Sequence, residues 1–229
     1  ARIFALWITV PAFIMVIISL LDVKLIYRYA YIIFFLSLIL LFSVEIIGII
    51  DKGISGGQKI SGLPFLGGDK ALDNYDPNEV NLVNGIGFMP NNNKRHQISS
   101  DMRNKGFKFL TVIHPSVAIP KSVKIDEGVQ IMSGSVIQPG VHIGKDTIIN
   151  TGVILDHDCN IGMNCHLATG VKCSGNVTIQ KHTFIGTGTS IINDINVGEN
   201  SVIAAGSIIF RDIPDNTTII QKKHNMIAE

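Results

Sequence analysis

Counting in sixes from Ile119 meets Ile125, Ile131, Ile137, Ile143, Ile149, Leu155, Ile161, Leu167, Cys173, Ile179, Ile185, Ile191, Val197, Ile203 and Ile209. Fifteen of these sixteen positions are Ile, Leu or Val, and the exception is a small apolar Cys. Neither the 3.6-residue period of an α-helix nor the two-residue alternation of an ordinary strand produces that spacing. A second series two residues earlier runs from Val117 through Ser135, Thr147, Cys159 and Thr183 to Ser207, and is small or β-branched throughout. Together the series predict hexads of one short strand and one turn, three to a triangular coil, wound as a left-handed parallel β-helix. The aliphatic residue points into the prism, and only a small neighbour fits beside it at the corner. Gly144, Gly162, Gly186 and Gly198 each follow an inward residue, where the turn is expected to need backbone freedom. Sixteen hexads make a little over five coils, stabilised by stacking on their neighbours, and their flat faces predict a closed homotrimer. This mainly β domain is assigned to residues 111–212, with a tail over 213–229.

The opening of the chain has a different pattern. Ile3 to Leu21 is nineteen residues without a charge, close to the length that spans a bilayer. A polar link with Asp22, Lys24 and Arg28 follows, and Tyr29 to Val44 gives sixteen more uncharged residues. Residues 1–44 are therefore expected to form a helical membrane hairpin, with membrane association through residues 3–44. The run is too long for a cleaved signal peptide, and a second follows it. The first residue is Ala, so the chain is expected to be processed or a fragment. The mean hydropathy of +0.35 owes its height to this segment.

Charge narrows the classes further. A net charge of +1 with 16% charged residues leaves no electrostatic footprint for nucleic acid. Cys159, Cys165 and Cys173 show no CxxC spacing, so small buried thiols are expected in place of disulfides or a zinc site. Among the turn residues two histidines stand out. His157 sits between Asp156 and Asp158, and His166 precedes inward Leu167. A carboxylate touching an imidazole orients it and raises its basicity. His142, His182 and His224 lack carboxylate neighbours in the sequence. The histidine intervals also lack the close pair expected of a zinc-binding β-helix, and no metal is expected.

The stretch Ile149-Asn-Thr-Gly-Val-Ile-Leu-Asp-His-Asp-Cys-Asn-Ile-Gly162, with Cys165-His-Leu-Ala-Thr-Gly170, Ser174-Gly-Asn-Val177, His114-Pro-Ser and Arg211-Asp-Ile-Pro-Asp215, resembles the sialic acid O-acetyltransferase and bacterial amino-sugar N-acetyltransferase family. The resemblance runs from about Glu45 to Asn216. It implies that His157 is the catalytic base and Asp158 the neighbour that raises its basicity. By the same resemblance Asn150 contacts substrate, His166 contacts acyl-CoA, and Thr187 and Ala205 line a CoA groove between subunits. It implies that a backbone N–H of Gly175 faces the thioester oxygen. Upstream, Glu45-Ile-Ile-Gly-Ile-Ile-Asp51-Lys52 and Val83-Asn-Gly-Ile-Gly87 resemble parts of the family's small Rossmann-like nucleotide-sugar domain. A partial substrate domain over 45–110 is implied, with Asp51, Lys52 and Gly87 on the substrate side. The apolar hairpin stands where the family has its first strand and glycine-rich phosphate loop. Asp22-Val-Lys-Leu-Ile-Tyr-Arg-Tyr-Ala-Tyr through Val44-Glu-Ile-Ile-Gly48 separately resembles membrane helices of the shape-and-division (SEDS) family of cell-wall polymerases.

The expected function is transfer of an acyl group, acetyl above all, from coenzyme A to a hydroxyl or amine of a sugar or nucleotide-sugar. Acetyl-CoA would be the co-substrate, and the catalytic domain would face the cytoplasm from its membrane anchor. Two alternatives stay open at this point: a non-catalytic trimeric β-helix scaffold, and an inactive fusion protein.

Overall fold

Short strands alternate with turns from Val112 to Ile219, and in most of them one residue points outward and one apolar residue inward. The computed structural model describes residues 49–50, 59–60, 63–88, 90 and 92–220. The chain divides into two units, residues 1–75 and 76–229. In the first, Leu63–Gly67 pairs in parallel with Ile49–Ile50 and antiparallel with Lys59–Ile60. The 3₁₀ helix Asp69–Asn74 follows and buries Leu72. The expected hairpin over 1–44, Asp51, Lys52 and the end of the tail lie outside the described residues. No helix among the described residues is long and apolar enough to cross a membrane.

In the second unit the hexads build a parallel β-solenoid of about six turns. One face is a seven-stranded sheet from Val112–Ile113 through Gln130–Ile131, Ile148–Ile149, His166–Leu167, Phe184–Ile185 and Val202–Ile203 to Thr218–Ile219. The other two faces are five-stranded sheets, one containing Asn160–Ile161 and the other Ile154–Leu155 and Lys172–Cys173. Partners one coil apart differ by eighteen residues, as Ile148 and His166 do. The solenoid exceeds the sequence estimate because two strands outside the counted hexads, Val112–Ile113 and Thr218–Ile219, extend it at its ends. Ile213 also bridges Val197, so the solenoid continues past Asp212.

Both periodic series are buried from Val129 onward, while Ile119, Val123 and Ile125 before it are partly buried. Ile143, Ile149, Leu155, Ile161, Leu167, Ile179, Ile185 and Ile203 are fully enclosed, and so are Val141, Val153, Val171 and Val177. Most polar members of the small series are satisfied by a carbonyl of the next coil, and Ser207 by Ala204 of its own. Thr147 Oγ1 donates to Gly162 O at 2.7 Å, Thr183 Oγ1 to Gly198 O at 2.9 Å, and Cys165 Sγ to Gln180 O at 3.0 Å. A buried hydroxyl or thiol is tolerated here because a carbonyl waits for it. All three cysteines are buried and free.

The glycines after the inward residues have a different cause from the one the sequence suggested. Gly144, Gly162, Gly186 and Gly198 do not adopt the left-handed conformation. A Cβ on Gly162 would lie 2.6 Å from the Lys181 nitrogen, and one on Gly144 2.7 Å from Gly162 C. They are small because the next coil's backbone passes too close for a side chain. The left-handed turn sits elsewhere, three residues before each inward aliphatic, from Gly128 to Gly206, with φ between 53° and 80°. Its occupants are Gly, Asn, Asp and one His, residue types that visit this region at low cost.

The rest of the second unit packs on the seven-stranded face. Asn81–Leu82 pairs in parallel with Lys108–Phe109 around helix α1, Lys94–Asn104. The Arg103 guanidinium binds both carboxylate oxygens of Asp146 (2.5 and 2.9 Å) and reaches Glu127 Oε1 at 3.2 Å. Gln130 Nε2 donates to Asn84 O at 2.7 Å. Residues 76–110 therefore belong structurally with the solenoid, and the division falls at Tyr75.

Candidate active site

His157 lies in the turn between Ile154–Leu155 and Asn160–Ile161, two residues past inward Leu155. Its backbone N–H donates to Asp156 Oδ1 at 2.7 Å, and its carbonyl accepts from Asn176 N at 2.9 Å, so both flanks are fixed. The ring Nδ1 is 3.0 Å from Asp158 Oδ2, and both side chains are about two-thirds exposed (63% and 66%). With the carboxylate accepting, Nδ1 carries the proton and the Nε2 lone pair is free. Asp158 takes the left-handed conformation, φ 59°, and its carboxylate rests against Gly140 of the preceding coil. Nε2 lies over Gly175 of the following coil. The hydrogen bond to Asp158 raises the His157 pKa above its ordinary value, with Asp156 and Asp194 adding their charge. Asp194 is held low by donors from Asn176 and Asn193. Gly175 is buried, and among the described residues its N–H donates to no protein acceptor, while its carbonyl takes Asp194 N at 3.1 Å.

The remaining sequence candidates gather elsewhere. Asn150 Oδ1 accepts from Thr151 N at 2.7 Å, and its Nδ2 lies 3.4 Å from His166 Nε2. His166 stands edge-on to Phe88 and Phe184, at 5.9 and 5.3 Å between centroids, and burial lowers its pKa. Thr187 and Ala205 are exposed, one coil apart, at the corner between the seven-stranded face and the face of Ser190–Ile191. The His157 corner joins a different pair of faces. One chain therefore brings together His157, Asp158 and Gly175, and separately Asn150 and His166, but not the two groups. Gly87 is exposed with open space around its Cα, in the segment after Asn81–Leu82.

Several partners were invisible in the sequence. Phe88, 78 residues before His166, covers it, and a period-six count gives no hint of that packing. His142, without carboxylate neighbours in sequence, meets Asp126 Oδ1 of the preceding coil at 3.3 Å. His182 meets His96 of α1, centroids 5.1 Å apart. A cavity of about 300 Å³ lined by Phe88, Arg95, His96, Asn164 and His182 lies away from His157. Burial pushes the Cys159 thiol up to about 11, so it is protonated at neutral pH.

Residues 122–157 match the family described as "Bacterial transferase hexapeptide (six repeats)", and residues 176–211 match "Hexapeptide repeat of succinyl-transferase". The structure is similar to that of perosamine N-acetyltransferase from Caulobacter crescentus in complex with CoA and GDP-perosamine. That likeness has a TM-score of 0.65 and 32% identity, over 75% of this chain and 80% of that one. The acetyltransferase domain of PglB from Neisseria gonorrhoeae gives a TM-score of 0.69 and 31% identity, over 75% of this chain and 82% of that one. The chain belongs to the hexapeptide-repeat acyltransferase family. A GDP-perosamine N-acetyltransferase from Escherichia coli O157:H7 is 29% identical to this chain over 85 residues, 37% of this chain and 38% of that protein.

Proposed function

We propose that this acyltransferase moves an acetyl group from acetyl-CoA to an amino group of a sugar carried on a nucleotide. The observation that carries the reading is the imidazole of His157, with Nδ1 on Asp158 and Nε2 free above Gly175. In this reading Nε2 removes a proton as the amine nitrogen attacks the thioester carbonyl. The new C–N bond forms, the carbonyl oxygen takes the negative charge, and the unpaired N–H of Gly175 stabilises it. Collapse expels the CoA thiolate, which is neutralised by the proton held on His157. The thioester is already activated, so no enzyme nucleophile is needed, and the buried, protonated Cys159 is not one. Support for the substrate class comes from relatives named as perosamine N-acetyltransferases, one of them in complex with CoA and GDP-perosamine.

The separation of His157 from Asn150, His166, Thr187 and Ala205 onto different corners supports a closed homotrimer. One protomer then supplies the base, and its neighbour lines the CoA groove. Residues 3–44 would anchor this assembly on the cytoplasmic face of a membrane, the side where acetyl-CoA is found. The test is turnover of acetyl-CoA, read as released thiol, with GDP-perosamine as acceptor. Saturable, acceptor-dependent release supports the enzyme. Absence of release with a folded protein and several amino-sugar nucleotides favours the scaffold.

A further inference from the structure

Two glycines on either side of the His157–Asp158 pair are small for a reason the fold alone does not supply. The hexad place two residues after the inward aliphatic carries a side chain from Ser133 to Ala205 at every repeat except Gly175. Gly175 is not in the left-handed region, so its backbone conformation does not call for glycine. Nor does coil stacking, since a Cβ there would meet no main-chain atom among its nearest neighbours. It would lie 2.5 Å from His157 Nε2, 2.6 Å from Cε1 and 3.2 Å from Cδ2. At Gly144, Gly162 and Gly186 the nearest obstruction is backbone of the next coil; at Gly175 the three nearest atoms all belong to the imidazole. On the other side, a Cβ on Gly140 would collide with Asp158 Oδ1 and lie 3.2 Å from its Cγ, with the Asp158 main-chain N next at 3.3 Å. Gly140 is left-handed, φ 80°, but Asn and Asp fill that place in other coils, so conformation does not restrict it to glycine.

We propose that Gly175 and Gly140 are positioning residues, whose missing side chains hold open the space in which the His157 ring and the Asp158 carboxylate meet. The proposal rests on the reading of His157 as the base. It differs from a role for the Gly175 N–H, because alanine keeps that N–H and removes only the space. A Cβ at 175 would drive the ring off Asp158, and misplacement of a catalytic group by about 1 Å costs on the order of 10²-fold in rate.

The experiment compares full-length wild type, Gly175→Ala, His157→Ala and the double variant. Gly175→Ala is expected to lower kcat by about 100-fold with little change in KM for acetyl-CoA. Its acid limb should move to lower pH, as the ring leaves its carboxylate. Gly140→Asn, which the left-handed backbone accepts, should move the limb the same way. In urea unfolding, Gly175→Ala should destabilise the wild type but not the His157→Ala background, where the ring is gone. Wild-type kcat and pH profile in Gly175→Ala, beside an inactive His157→Ala, would overturn the positioning role and leave the base intact. Equal destabilisation in both backgrounds would overturn it too, by placing the obstruction in the backbone. Wild-type kcat in His157→Ala would instead remove the base on which the proposal stands.

Discussion

Asp158 serves the turn and the imidazole at once. Its left-handed backbone, φ 59°, is the one shared by Asn164, Asn176 and Asn200 in other coils, so Asn can replace it without disturbing the turn. Asp158→Asn thus separates charge from conformation. The raised His157 pKa places the acid limb of the rate above the ordinary histidine value of about 6.5. Because the base works when neutral, activity falls as pH drops through that raised pKa. In Asp158→Asn the pKa falls, so the limb should move to lower pH while the plateau drops, roughly tenfold, for the weaker base. The deficit should therefore be greatest at high pH and shrink toward low pH. A pH profile of kcat/KM checks this, and an unmoved limb would show that the carboxylate does not tune the base. Cys159 belongs to the small series that also accepts Ser135, Ser201 and Ser207, so Cys159→Ser should fold normally and keep near-wild-type kcat. A loss of several hundred-fold there would point to covalent chemistry at the thiol.

A coil depends on two kinds of glycine, and only one announces itself by conformation. The period of six was readable because every inward position faces the same enclosed prism and must be apolar. The left-handed column from Gly128 to Gly206 was equally periodic but mixed Gly with Asn, Asp and His, so a search for glycine alone missed it. Gly162 has the opposite logic, since its neighbours across the coil are main-chain atoms that cannot yield. Gly162→Ala should cost about 1–3 kcal/mol, whereas Gly170→Asn, left-handed with open space around it, should stay within about 0.5 kcal/mol of wild type. Urea unfolding distinguishes them, and equal losses would refute the division. Of the site, the His157–Asp158 pair was legible because its members are adjacent in sequence. The seat at Gly175 lies eighteen residues on, one coil away, and the cover of His166 by Phe88 comes from the segment leading into α1. Neither follows from a local pattern, because each depends on how coils and segments stack.

For the whole molecule, the proposed trimer would let the two groups of candidate residues, which lie on different corners of one chain, meet across a subunit boundary. Sedimentation equilibrium should give a trimer, and mixing His157→Ala with His166→Ala chains should restore part of the activity that each lacks alone. Mixed trimers that stay inactive, with both variants folded and exchanging subunits, would confine the site to a single chain. The central claim, that this assembly transfers acetyl groups with His157 as its base, is tested most directly by kcat of His157→Ala at saturating acetyl-CoA. His157 is exposed, so its loss opens no core cavity and the trimer should persist. The account predicts a fall of about 10²–10⁴-fold, with His142→Ala, whose carboxylate partner lies on another corner of the prism, near wild type. A folded His157→Ala trimer that turns over at the wild-type rate would contradict it.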